Sequence, residues 1–119
     1  MNDIFERLRT IKYESEDEIE KTVEGMASEF SGNQKLEKNI IHFFSENAIE
    51  CKSRGEALIF TVLISFVLAD IAGQMSPDLK ANNLAKIRYI CEKRNINFHL
   101  VSSLTACETR LAELIDRCS

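Results

Sequence analysis

Proline occurs once and glycine four times in 119 residues, which excludes a collagen-like or low-complexity chain and leaves no proline- or glycine-rich linker to divide it. A long uncharged run is also missing. The most apolar stretch, EALIFTVLISFVLADIAG at 56–73, is free of charge only from Ala57 to Ala69. As a helix, that run would rise about 20 Å, short of a hydrocarbon layer of about 30 Å. Thr61 and Ser65 interrupt it, so it is expected to form the inside of a protein rather than to cross a membrane.

The cysteines form no motif. Cys51, Cys91, Cys107 and Cys118 are separated by 39, 15 and 10 residues, which fits neither a CxxC redox pair nor a paired-knuckle zinc site. They read as reduced thiols. The first residues, MNDIFERLRTIKYESEDEIEK, carry scattered charge and no apolar segment before a small-residue cleavage site, so a cytoplasmic location is expected. Glycine-rich phosphate loops, a G-x-S-x-G elbow and a two-histidine zinc helix are all absent. On that basis no enzyme activity, metal or cofactor is expected.

What is present is a globular composition, 45% hydrophobic and 29% charged. The length is enough to bury a core without staples, and one domain spanning 1–119 is expected. The fold class predicted is all-α, a bundle of about six helices around a buried central helix at about 54–73. Ser53 and Glu56 have the form of a capping box at its start. Small residues recur at Ala57, Thr61, Ser65, Ala69 and Gly73, a ridge that lets a neighbour approach. Large apolar residues cover its other sides, so other helices must surround it.

The coat can be read from spacing. One short helix is expected at Asp3–Ile11. A second follows the Ser15/Glu18 capping box, with Ile19, Val23, Met26 and Phe30 inward and Ser31-Gly32 as its stop. Leu36, Ile40, Phe43, Phe44 and Ala48 line a third. Ser76-Pro77-Asp78 opens another in the order cap, proline, acid. Leu79, Leu84, Ile87, Ile90 and Cys91 follow, ending near Asn95, and NINFH at 95–99 is the joint to the last helix. That helix carries Leu100, Leu104, Cys107, Leu111, Leu114, Ile115 and Cys118 over five turns, a stripe suited to the core or to a homodimer through 100–118.

Charge is unevenly placed. Residues 1–50 hold 12 acids and 6 bases, net −6, whereas residues 51–119 hold 7 acids and 9 bases, net +2. Glu14, Glu16, Asp17, Glu18 and Glu20 crowd one segment, and Glu24 extends it. Acids belong in a helix's first turn, but an excess of this kind can also steer and dock a basic partner. The leading expectation is a small acidic protein-binding module, an inhibitor, immunity protein or adaptor, docking through Glu14–Glu24.

Two alternatives remain. Lys80, Lys86, Arg88, Lys93 and Arg94 make a basic helix that could meet nucleic acid. Against direct nucleic-acid binding stand a pI of about 5.2 and the lack of a recognisable reading motif. His42, Glu46 and Glu50 lie at i, i+4 and i+8, where the first pair could share a proton or a metal. His99 has no cysteine at ligand spacing, although Cys91 or Cys107 could approach it in space.

Overall fold

The computed structural model describes residues 7–8, 15–50, 54–74 and 76–118, and every regular element among them is helical. In order these are α1 (Glu16–Phe30), α2 (Gln34–Glu46), α3 (Glu56–Gln74), α4 (Pro77–Lys93), α5 (Phe98–Leu104), a 3-10 turn (Thr105–Cys107) and α6 (Glu108–Cys118). With α5, the turn and α6 taken as one bent run, five helical segments stand against the about six expected. The segment expected at Asp3–Ile11 lies outside the described residues except for Arg7 and Leu8, which are helical.

α3 is the axis. Every side chain from Leu58 to Leu68 is buried, and Ile71 with them, and all the other helices from α1 to α6 pack against it. Burying a side chain such as Phe60, Leu63 or Ile64 contributes about 2–3 kcal/mol. The two hydroxyls in this run are satisfied within the helix. Thr61 Oγ1 donates to the Ala57 carbonyl at 2.8 Å, and Ser65 Oγ donates to the Val62 carbonyl, which removes the penalty of an unpaired buried polar group.

The small-residue ridge serves as a contact only in its middle. Thr61 and Ser65 are buried, Ala57 and Ala69 are half-buried, and a Cβ on Gly73 would meet nothing within 4 Å. Among the described residues, no helix is long and apolar enough to cross a membrane. The radius of gyration, 13.3 Å, matches the roughly 13.5 Å expected of a compact chain this long.

The ends of the helices follow local chemistry. Ser15 Oγ accepts from the Glu18 N–H at 3.3 Å, which is half of the expected capping box. Ser53 lies outside the described residues. Ser76 occupies the cap position with Pro77 first in the helix, but its side chain makes no capping hydrogen bond, so proline sets this start more than serine does. Asn33 and Asn97 cap α2 and α5, their Oδ1 atoms accepting from Leu36 N–H at 3.0 Å and His99 N–H at 2.8 Å.

Two helices close on residues other than glycine. Ala48 and Asn95 take φ of 55° and 59°. Ile49 N–H then reaches back to the Phe44 carbonyl, and Ile96 N–H to the Cys91 carbonyl, each at 2.8 Å. These are Schellman closures, in which a left-handed residue turns the chain and an apolar residue folds back over the last turn. The first ends α2 at Glu46, so Ala48 does not continue the helix's apolar face, as its spacing had suggested, but is exposed beyond it.

The five-turn C-terminal helix is also corrected: it is broken at Thr105–Cys107. Ser103 Oγ donates to the His99 carbonyl at 2.9 Å and Thr105 Oγ1 to the Ser102 carbonyl at 2.7 Å. Hydroxyls that bond back onto the preceding turn compete with the regular ladder and bend it. On either side of the bend Leu104, Leu111, Leu114 and Ile115 are buried in the chain's own core, while Cys107 and Cys118 are only partly covered.

Candidate functional site

α1 begins with three acids in its first turn. Asp17 and Glu18 are exposed and Glu16 is half-buried, and none of the three forms an ion pair with another described residue. Glu14 lies outside the described residues. One turn further on the surface changes character, because α1 packs against α4 and the bases at the end of α4 turn toward it.

Arg94 is the hub of that contact. Its Nε–H donates to Glu20 Oε1 at 3.0 Å and its Nη2–H to Glu24 Oε2 at 2.8 Å, while Lys93 Nζ donates to Glu20 Oε2 at 3.2 Å. The guanidinium carbon lies 4.1 Å from the centre of the Phe60 ring on α3, a cation–π contact under cover. Only 12% of the Glu20 side chain remains exposed. Burial pushes the Glu20 carboxyl up, but the hydrogen bonds and charges of Arg94 and Lys93 together outweigh it and hold the group below its ordinary value. Reciprocally, the hydrogen bond to Glu20 holds the Lys93 ammonium above the ordinary lysine value.

The two charged segments singled out in the sequence therefore meet one another. Glu20 and Glu24 of the acidic set are engaged by Lys93 and Arg94 of the basic set, which the sequence alone gave no means of pairing. Arg88 also has a contact within the chain, its guanidinium 4.8 Å from the Phe98 ring centre. Lys80 and Lys86 are half-buried. The five bases do not form one open basic face.

His42 and Glu46 do face each other, with Nε2 and Oε1 2.9 Å apart on the exposed side of α2. Arg110 of α6 completes a row: it lies 3.6 Å from Glu46 Oε2, 3.4 Å from Asn47 Oδ1 and 5.2 Å from the Phe43 ring centre. Glu50 is not part of it, since the Ala48 turn takes the chain off the helix before the third position is reached. His99 and Cys107 share the lining of a shallow groove with Glu50, whereas Cys91 is fully buried and does not line it. Among the described residues, no three histidine, cysteine or carboxylate side chains converge on a point that could hold a metal.

One feature escaped the sequence reading. Tyr89, half exposed, stands beside Ala81, Leu84, Ala85 and Phe98 along a groove between α4 and α5. The signal was available: Ala81, Ala85 and Tyr89 lie at i, i+4 and i+8, on the face of α4 opposite Ile87. No protein-family model, curated protein or solved structure matches the chain.

Proposed function

We propose that the chain is a small acidic protein-binding module of the cytoplasm, an inhibitor, immunity protein or adaptor that docks a basic partner through the start of α1. The observation supporting this is how the acids divide. Glu20 and Glu24 are neutralised within the fold, whereas Glu16, Asp17 and Glu18 sit together at the first turn without an ion pair among the described residues. A charged turn on a rigid scaffold gives steering and register, which is what electrostatic complementarity contributes most to association.

The same observation narrows the test. Replacing Glu16→Gln, Asp17→Asn and Glu18→Gln removes the charge of that turn while keeping every residue that hydrogen-bonds to Glu20; the one electrostatic link lost is that of Asp17 to Lys93. Both proteins, immobilised, are presented to extract of the source cells at about 0.05 and 0.5 M salt, since exposed charges lose most of their reach over that range. The expected result is a basic protein retained by the unaltered chain at low salt and lost with either the triple substitution or high salt. Equal retention by the two proteins would remove the acidic turn from the function.

A further inference from the structure

Apart from the charged turn of α1, the outer face of α4 is built for contact. Tyr89 leaves 50% of its surface exposed, and Ala81 and Ala85 below it are exposed as well. With Leu84 and Phe98 they line an open groove of about 380 Å³. Lone exposed apolar residues are ordinary; here two alanines and a tyrosine follow one another along a single helix face beside Arg88 and Glu92 of the same groove, and it is the charges around them that argue for the partner. We propose that this face is the interface of a homodimer, in which α4 packs antiparallel on α4 of a second copy about a two-fold axis passing midway between Ala81 and Ala85.

A two-fold contact requires a face that complements itself, residue i meeting j while j meets i. With the axis midway between Ala81 and Ala85, each alanine meets the other alanine of the second copy, and small side chains there let two helices approach to about 8 Å. Asp78 and Arg88 lie five residues on either side, about 7.5 Å along the axis, so opposite charges meet twice. Pro77 and Tyr89 lie six residues out, so each ring covers a proline. All of these residues are exposed in the single chain.

Charge also favours this register over the one centred on Ala85. Moving the axis to Ala85 would set Asp78 against Glu92, a like-charge contact on both sides of the dimer. Arg88 is already held flat on Phe98, and a stacked guanidinium keeps its in-plane N–H groups available to a carboxylate. The large residues of the C-terminal stripe at 100–118, Leu104, Leu111, Leu114 and Ile115, are already used by the core. The dimer does not depend on the acidic turn of α1, so either proposal can fail without the other.

Sedimentation velocity on the full chain, from about 1 μM to 1 mM, tests it. The expected mass rises with concentration from 13.6 kDa to twice that value. Arg88→Asp and Asp78→Arg each place like charges at both symmetric contacts and should weaken the dimer at least about tenfold. An equimolar mixture of the two variants restores opposite charges at both contacts and should recover dimer that neither variant forms alone. Circular dichroism, expected unchanged, checks that both variants are folded. The proposal is overturned if the unaltered chain stays at 13.6 kDa throughout, if the variants dimerise as it does, or if mixing recovers nothing.

Discussion

Replacing Arg94 by alanine should disturb three helices at once. The residue ends α4, reaches Glu20 and Glu24 on α1, and covers Phe60 on α3. The cation–π contact contributes about 1 kcal/mol in a partly covered setting. The hydrogen bond to Glu20, whose side chain is only 12% exposed, adds about 1–2 kcal/mol, as expected for a charged partner away from water. The bond to Glu24 is discounted, because that side chain is 53% exposed and such pairs contribute little. Arg94→Ala should therefore lower the unfolding free energy by about 2–3 kcal/mol, a large part of the 5–15 kcal/mol usual for a domain. For this length that is a fall in Tm on the order of 10 °C.

Urea unfolding followed by far-ultraviolet circular dichroism reads this directly. Arg94→Lys keeps the charge but loses the planar fork and most of the stacking, and should recover half the loss or less. A double-mutant cycle with Glu20→Gln should give a coupling above about 1 kcal/mol. The sign with pH follows from the Glu20 carboxyl, held in the folded chain below its ordinary value of 4.5. A carboxyl whose folded pKa is depressed stabilises the fold at pH above its unfolded value and loses that contribution as pH falls through the folded value. The gap between the unaltered chain and Arg94→Ala should therefore narrow in acid, below about pH 4. A loss under about 0.5 kcal/mol at neutral pH, or no coupling to Glu20, would refute the clamp.

Two further outcomes follow from the backbone and the thiols. Ala48→Gly should raise the unfolding free energy by up to about 1 kcal/mol, because φ of 55° strains a side chain that is exposed and packs on little; a loss of stability in the same urea assay would contradict the closure described for α2. Burial, with a smaller contribution from Glu92, pushes the Cys91 thiol up to about 11. Iodoacetamide near pH 8 should thus label the partly covered Cys107 and Cys118 well before Cys91 in the folded chain, and mass spectrometry showing Cys91 labelled first would show that its site opens.

The helical elements were legible because their signals are periodic and local. Ile19, Val23 and Met26 on α1, and Leu36, Ile40, Phe43 and Phe44 on α2, point inward as their spacing required. The unbroken burial from Leu58 to Leu68 follows from the composition of that run alone. At the end of α2 and at the C-terminal bend the cause of the departure was short-range hydrogen bonding, whereas Leu79, grouped by spacing with the apolar residues of α4, is 50% exposed. Ala48 has the right spacing to extend α2, yet the Schellman turn needs a left-handed residue there, and nothing in an alanine announces one. The break at Thr105–Cys107 was written in Ser103 and Thr105, but hydroxyls in a helix can equally point outward, so only the observed bonds to preceding carbonyls decide.

Charge was legible in amount but not in pairing, and that difference changes what the acidic half of the sequence means. Four of the six ion pairs among the described residues join an acid of residues 1–50 to a base of residues 51–119: Glu20 with Lys93, Glu20 with Arg94, Glu24 with Arg94, and Glu46 with Arg110. The excesses of −6 and +2 are therefore partly the opposite sides of two internal contacts, drawn together when α1 packs on α4 and α2 on α6. Opposite charge excesses within one chain are candidates for each other before they are candidates for a partner. What can still act outward is the remainder, and on α1 that remainder is concentrated at Glu16, Asp17 and Glu18. These lie two to four residues before Glu20 and make no hydrogen bond to Lys93 or Arg94, although the charge of Asp17 still reaches Lys93.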